Sequence, residues 1–296
     1  MKELVILSGK GGTGKTSLTA AFASLSENKI LCDADVDAAD LHLLMNPDII
    51  QQTDFKGGGI AVINKDKCTQ CGTCIELCRF DAINDDFEVN EIQCEGCGVC
   101  VDLCPEKAID FPIKTCGQWY ISETRFGPMV HARLGIAEEN SGKLVTLVRQ
   151  EAKKIAETKG FDLIITDGPP GIGCPVIASL GGASAIVIIA EPTVSGLHDM
   201  ERVAELAQHF KVPCMVCINK ADLNPEKADA IEKLAEEKNT AVLGRIPFDP
   251  AFTQAMIQAE NLIEFKDDSE TVRIIKEIWG KIINSSAMNN SKSKKI

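Results

Sequence analysis

No apolar run in this chain approaches the ~18 residues needed to span a bilayer, so no membrane-crossing helix is expected. Basic residues are in deficit. The 31 lysines and arginines stand against 43 aspartates and glutamates, and the net charge of −12 argues against nonspecific binding to nucleic acid or anionic membranes. Nor is a secretory leader expected: Met1-Lys2-Glu3-Leu4-Val5-Ile6-Leu7-Ser8 runs straight into a glycine-rich loop and reads as a first strand. The remaining composition, 45% hydrophobic and 25% charged, is ordinary for a soluble globular protein, and 296 residues suggest two domains. Cysteine, by contrast, is abundant. Thirteen cysteines would mean disulfides in a secreted protein, but in the cytoplasmic, reducing setting expected here paired cysteine motifs mean metal.

Eight cysteines form two copies of one pattern. Cys68, Cys71, Cys74 and Cys78 are repeated as Cys94, Cys97, Cys100 and Cys104 at a constant shift of 26 residues, which also carries Ala82 to Ala108 and Ile83 to Ile109. With Pro105 the second copy is the bacterial C-x2-C-x2-C-x3-C-P run that holds four-iron clusters. Three cysteines spaced by two residues wrap three corners of a cube within one tight loop. The fourth points away from that loop and, in two-cluster proteins of this kind, serves the other cluster. The expected ligand sets are therefore Cys68, Cys71, Cys74 and Cys104 for one [4Fe-4S] cluster, and Cys94, Cys97, Cys100 and Cys78 for the other. Gly72, Gly96 and Gly98 allow close backbone approach to inorganic sulfide, and Arg79 stands where the first copy would carry proline. Zinc is the rival occupant, because paired C-x2-C motifs also hold it. Between Asn64 and Phe111 eleven acids face four bases, so −7 of the net charge surrounds the repeats and an acidic face is expected. Clusters near solvent favour an anaerobic or oxygen-protected setting.

The rest of the chain alternates strands and helices. Leu4–Ser8 and Ile30–Cys32 read as strands, with a helix over Lys15–Ser26 between them. Gly57-Gly58-Gly59 breaks the pattern before a strand-like Ile60–Ile63. Leu144–Thr158 has helical spacing, and apolar strands follow at Leu163–Thr166, Ala185–Ala190, Cys214–Ile218 and Ala241–Ile246. Their unbroken apolar character fits parallel strands buried on both faces, and the alternation implies an α/β fold with a doubly wound, mostly parallel sheet. The cysteine segment would be an excursion from one edge of that sheet. Residues 285–296 are polar and are expected to be disordered.

Gly9-Lys10-Gly11-Gly12-Thr13-Gly14-Lys15-Thr16 satisfies G-x4-G-K-[ST] after a strand and before a helix. The glycines let backbone N–H groups turn inward around phosphate oxygens. Lys15 neutralises β/γ-phosphate charge, the Thr16 hydroxyl can hold Mg²⁺, Ser17 follows on the helix, and the helix N-terminus adds its dipole.

Lys10 carries a resemblance. A second lysine inside the loop makes it similar to the deviant Walker A motif, K-G-G-x-G-K-[ST], of the MinD/ParA/Mrp superfamily of P-loop ATPases, a group to which nitrogenase iron protein is related. The resemblance implies ATP, Mg²⁺ and an ATP-sandwich dimer, with Lys10 acting in trans on the partner's nucleotide. Asp33-Ala34-Asp35 looks like that family's D-x-D in switch I. By this match Asp33 assists the Mg²⁺ shell and Asp35 orients the attacking water, the positioning that phosphoryl transfer requires. Helix-capping or loop aspartates are the plain alternative. Asp167-Gly168-Pro169-Pro170-Gly171 looks like Walker B and switch II, with Asp167 reaching Mg²⁺ through water and Gly168 sensing the γ-phosphate. Asn219 matches a residue that contacts adenine, and the Pro247 segment one that closes over the base. Asn219-Lys220-Ala221-Asp222 also satisfies the guanine-reading N-K-x-D of GTPases. ATP is favoured by Lys10 and Pro247, with GTP open.

The cysteine segment resembles a bacterial 2[4Fe-4S] ferredoxin domain inserted in a MinD-like ATPase. The implied organisation is a first ATPase part over 1–58, an inserted ferredoxin-like domain over 59–112, a second ATPase part over 113–284 and the tail. Thr115–Lys143, with Tyr120 (the one tyrosine) and His131, also looks like this family and reads as a lid, a partner surface or plain packing. Of the remaining cysteines, Cys32 reads as core, and Cys214 and Cys217 lie three apart on a strand and so face opposite ways. Cys174 follows switch II at an offset where nitrogenase iron protein places a cluster ligand, or is a small loop residue packed near the nucleotide. The implied activity is ATP hydrolysis coupled to electron transfer, or to cluster or metal delivery, with a redox or iron–sulfur acceptor as partner. The dimer would join two copies, or this chain and a paralogue. The alternative is a MinD/ParA-like positioning protein with a redox-sensing domain. Against it, Glu270–Ile283 reads as a core helix, and the few terminal lysines make no strong membrane anchor.

Overall fold

The computed structural model describes residues 1–135 and 141–289. The chain opens with β1 (Lys2–Ser8), α1 (Lys15–Leu25), β2 (Lys29–Asp33) and α2 (Leu41–Met45), and then runs into β3 (Asp48–Gly59). The cysteine segment contains β4 (Val62–Ile63), α3 (Thr73–Leu77), α4 (Val99–Asp102) and β5 (Ile109–Asp110). The return is a hairpin, β6 (Ile113–Thr124) and β7 (Gly127–Leu134), followed by α5 (Ser141–Lys159). Regular alternation then resumes with β8 (Leu163–Pro170), α6 (Cys174–Leu180), β9 (Ala185–Ala190), α7 (Val194–His209) and β10 (Cys214–Asn219). After it come α8 (Pro225–Glu237), β11 (Ala241–Ile246), α9 (Ala251–Ile257), α10 (Leu262–Phe265), α11 (Glu270–Asn284) and α12 (Ser286–Asn289).

One nine-stranded sheet has the order β11-β10-β9-β1-β8-β2-β7-β6-β3. It is parallel from β11 to β7, and β6 and β3 add antiparallel at the edge. This is the expected doubly wound, mostly parallel sheet. Alternate residues of β1 feed the two faces. Leu4 and Ile6 pack with Leu18, Phe22, Ile275 and Trp279, while Val5 and Leu7 pack with Val176, Met200 and Val203. Both faces are covered, which is why β1 and β9 read as continuous apolar runs. The Phe22 and Trp279 rings stack at 5.4 Å, fixing α11 against α1 with its apolar face inward.

Three expectations need correction. Gly57, Gly58 and Gly59 do not break the pattern, because they lie inside β3, with Gly58 and Gly59 paired to β6 and Gly57 at a register shift. Glycine is needed there for packing: a Cβ on Gly57 would meet the Phe55 ring, and one on Gly59 the Phe111 ring. Of the lid, partner surface and plain packing offered for Thr115–Lys143, its described part fits packing and not a lid: it supplies most of β6, β7 and the start of α5, with 136–140 outside the described residues. The tail is not irregular from 285 onward. Residues 286–289 form α12, and Ala287 and Met288 pack against the core, while 290–296 lie outside the described residues.

The cysteine segment hangs from the sheet edge between β3 and β6, which are paired along their length from Asp48↔Glu123 to Gly59↔Ile113. It has its own two-stranded pairing, β4 with β5, and its own small cluster around Ala61, Cys74, Ile83 and Ile109. The internal repeat survives as geometry. Ala82 N–H donates to Cys78 Sγ at 3.4 Å, and Ala108 N–H to Cys104 Sγ at 3.3 Å, which are equivalent contacts one repeat apart.

Candidate functional site

The carboxyl ends of β1, β8, β2, β9 and β10 converge on one loop, the usual place for ligands on an open parallel sheet. That loop, Gly9 to Gly14, joins β1 to α1. Gly14 takes the left-handed conformation (φ 89°), and a Cβ there would run into the Asn219 amide. Gly9 lies so close to Asp199 of α7 that no side chain fits. Asn219, at the end of β10, donates from Nδ2 to Thr13 O at 2.7 Å, so it braces the loop from behind. Gly11 and Gly12 have open space around their Cα atoms, as phosphate-facing residues require. Thr13 Oγ1 is buried and, alone among the described residues' buried side-chain polar atoms, has no hydrogen-bond partner. An unpaired buried hydroxyl is costly, and at this place a bound anion would satisfy it.

Lys15 is buried in a nest of carboxylates. Its Nζ lies 3.0 Å from Asp167 Oδ1 and 3.2 Å from Asp35 Oδ2. Burial disfavours the ammonium, but the Asp167 and Asp35 charges outweigh burial and raise its pKa. The Thr16 hydroxyl donates to Asp167 Oδ2 at 2.7 Å and the Thr19 hydroxyl to Asp167 Oδ1 at 2.9 Å. Asp33 is fully buried and accepts from the backbone N–H groups of Asp35 (3.1 Å) and Leu41 (3.3 Å), so it shapes the loop that carries Asp35. Burial, then the neighbouring Asp167 charge, pushes Asp33 well above the usual carboxylate range; burial likewise raises Asp35, against the opposing pull of Lys15. A site so loaded with carboxylates beside a hydroxyl suits a hard divalent cation, which takes oxygen ligands.

Beside the loop lies a cavity of about 210 Å³, lined by Gly12, Gly14, Ser17, Asn219, Pro247 and Phe248 among others. Pro247 and Phe248 form its outer wall, and Ser17 Oγ reaches Met256 Sδ at 3.7 Å across it. Asp222 Oδ1 accepts from the Phe248 backbone N–H.

Lys10 points back onto its own chain. Its Nζ pairs with Glu191 Oε2 at 3.0 Å and donates to the Thr193 and Ser195 hydroxyls, each at 3.3 Å. Glu191 also pairs with Lys220, whose Nζ donates to Gly12 O at 2.9 Å. Glu191 and Thr19 were not singled out by sequence, and Lys220 entered only as a member of the N-K-x-D pattern. Thr19 could have been found by its place one helical turn after Thr16, and Glu191 by its position just past the end of an all-buried strand.

The eight repeat cysteines gather at two further places. One cavity is lined by Cys68, Cys71, Cys74 and Cys104, and a second by Cys78, Cys94, Cys97 and Cys100. In each, the fourth thiol comes from the other repeat. Among the described residues no three His, Cys, Asp or Glu side chains converge as a single-ion site. The thiols load one another: burial and then the charges of Cys94 and Cys97 push Cys100 up to about 11, and burial raises Cys74, while the Thr73 hydroxyl lowers exposed Cys71.

The other cysteines separate by location. Cys32 is fully buried, and burial raises its pKa strongly. Cys217 packs in the cluster under α11, whereas Cys214 packs with the cluster on the opposite face. Cys174 is exposed at the start of α6 and is not packed in the loop interior. No helix among the described residues is long and apolar enough to cross a membrane.

Comparison with known proteins agrees with this geometry. Over 288 residues the chain is 34% identical to an uncharacterized protein of Methanocaldococcus jannaschii, covering 95% of this chain and 96% of that one. It is 23% identical over 139 residues to a cytosolic Fe-S cluster assembly factor NUBP1 homolog of Caenorhabditis briggsae, covering 41% of this chain and 44% of that one. In structure it is similar to the septum site-determining protein MinD of Pyrococcus horikoshii complexed with Mg-ADP, with a TM-score of 0.60, 16% identity and 96% of each chain covered. Residues 4–262 match the model of the CobQ/CobB/MinD/ParA nucleotide binding domain, and the chain belongs to that family.

Proposed function

We propose that this protein is an ATP-hydrolysing iron–sulfur protein in which the state of the nucleotide controls two [4Fe-4S] clusters. Its output is electron transfer, or cluster or metal delivery, to an acceptor protein. The observation that carries the reading is the pairing of one phosphate loop at the nine-stranded sheet with two four-cysteine cavities in the segment that hangs from its edge. The family and the unpartnered Thr13 hydroxyl support nucleotide binding. Crossing ligand sets favour four-iron clusters over zinc. The partial likeness to a protein named as an Fe-S cluster assembly factor points the same way.

The chain's own residues suggest the roles. The loop N–H groups, Lys15 and the first turn of α1 bind and orient the phosphates, with Ser17, Asn219 and Pro247 beside the nucleoside. Thr16 and Asp167 hold Mg²⁺, with Asp33 behind them. The cation supplies charge stabilisation to the transferring phosphoryl group. Asp35 orients the attacking water, and Lys10 acts on the nucleotide of a second subunit. The Asp222 contact with Phe248 favours ATP over GTP, since one of that carboxylate's two oxygens is already engaged.

Coupling has a short physical route. The loop carrying Asp35 touches β7, where Leu134 N–H donates to Val36 O at 3.2 Å. β7 pairs with β6, β6 pairs with β3, and the cysteine segment hangs between those last two strands. On the switch II side, Gly142 packs on Cys174, and the neighbouring Lys143 donates to Gly57 O at 3.4 Å. A shift of either switch loop is therefore felt where the segment is attached. Anaerobic protein should contain about eight iron and eight sulfide per chain, as two four-iron clusters require. A nonhydrolysable ATP analogue should shift the cluster reduction potential or the affinity for an acceptor. If the protein binds zinc without iron, or if nucleotide changes neither quantity, the reading fails.

A further inference from the structure

Glu191 holds two lysines at once. Its Oε2 lies 3.0 Å from Lys10 Nζ and its Oε1 2.7 Å from Lys220 Nζ. An ammonium has three N–H donors, and those of Lys10 are matched by Glu191, Thr193 and Ser195, all on its own chain. Of the receiving groups, Thr193 is fixed as the cap of α7, accepting from Gly196 N–H at 2.9 Å. Lys220 ties the same carboxylate to the loop backbone at Gly12.

We propose that Glu191 is a positioning residue of the nucleotide site, parking Lys10 on its own subunit until phosphate presented by a second copy of this chain takes its place. The proposal rests on the reading above that Lys10 acts across a dimer. The charge balance explains why the parking is reversible. One carboxylate serves two ammonium groups, so the cluster keeps surplus positive charge that a polyphosphate neutralises more fully. Lys10 also sits at the first turn of α7, where the helix dipole is positive and disfavours a cation. Burial works against the Glu191 carboxylate, yet its hydrogen bonds to Lys220 and Lys10 hold it below the usual range. It is thus ionised at ordinary pH. Lys10 is about one-third exposed, so the pair is weak enough for phosphate to displace.

The test is the protein concentration at half-maximal self-association with a nonhydrolysable ATP analogue and Mg²⁺, measured by sedimentation. Glu191→Gln should lower that concentration about fivefold, since each dimer releases two Lys10 side chains and each part-exposed pair is worth about 0.5 kcal/mol. Ser195→Ala, which removes one parking contact and leaves Lys220 untouched, should lower it about twofold. Both gains should vanish in a Lys10→Ala background. ADP affinity, read on the same variants, reports an intact loop. If Glu191→Gln and Ser195→Ala leave association unchanged while Lys10→Ala abolishes it, the parking role is overturned and the trans role of Lys10 stands. If Glu191→Gln weakens ADP binding as much as it alters association, the carboxylate acts through Lys220 on the loop and parking is again overturned. If Lys10→Ala associates like the unaltered chain, the trans reading itself fails.

Discussion

Lys15 Nζ lies 3.0 Å from Asp167 Oδ1, a contact between residues 152 positions apart that joins the phosphate loop to the end of β8. The pair is almost fully buried, with side-chain exposures of 6% and 1%. Lys15 is the counter-ion of Asp167 and Asp35.

Removing Lys15 should therefore damage the empty protein as well as its binding. Lys15→Ala leaves buried carboxylates without their cation, and breaking such a pair costs about 3–5 kcal/mol. Urea unfolding without nucleotide should show a loss at the lower end of that range, and ATP should no longer protect. A variant as stable as the parent would mean the carboxylates are not charged together in the resting state.

The crossed cysteine sets make a sharp prediction with paired variants. Cys68→Ala with Cys104→Ala removes two ligands of one site, so half of the iron should remain. Cys68→Ala with Cys78→Ala strikes both sites, and little iron should remain. Iron and sulfide analysis with visible absorbance reads the difference. The opposite ranking would show that each repeat holds its own cluster.

Base choice should favour adenine. Asp222 Oδ1 already accepts from the Phe248 backbone N–H, so a two-point contact with guanine would have to share that oxygen. In competition at equal concentration GTP should displace bound ATP at least ~10-fold less well than ATP does, the scale of a lost base contact plus an unpaired group. A clear preference for GTP would contradict this arrangement.

His131 should make stability fall in mild acid. It is buried, its Nε2 lies 2.9 Å from Ser122 Oγ, and its ring stacks between Tyr120 (4.9 Å) and His42 (6.2 Å). Burial, then the His42 charge, lowers its pKa to about 4. An unfolded chain binds that proton near pH ~6.5, so between ~6.5 and ~4 the unfolded state holds more protons and stability declines as pH falls. The decline is at most about 3 kcal/mol and stops below pH ~4, where both states are protonated. His131→Phe should show a shallower slope than the parent across that window; equal slopes would assign the effect elsewhere.

Legibility followed how local each signal was. The phosphate loop, the cysteine repeats and the buried strands could be read because each lies within a few residues of one motif or one apolar run. β3 could not. Its first five residues, Asp48–Gln52, are exposed, and it ends in three glycines, so neither alternation nor apolar content marks it as a strand. It is one because β6 pairs with it along the sheet edge. Asp33 is a milder case: the family's D-x-D match implied a part in the Mg²⁺ shell, and only the fold shows that its oxygens also accept from the backbone of the following loop.

By itself, the sequence determined the chemistry available. Covalent spacing decides which thiols can share a tight loop, and glycines beside a lysine decide where phosphate can be cradled. Tertiary structure decided which of these groups meet. Only the strand order brings Asp167 to Lys15, sets Glu191 between Lys10 and Lys220, and hangs the cysteine segment three strands from the Asp35 loop. Those contacts join residues far apart in the chain. They depend on long-range burial and sheet pairing, which no local pattern of side chains encodes.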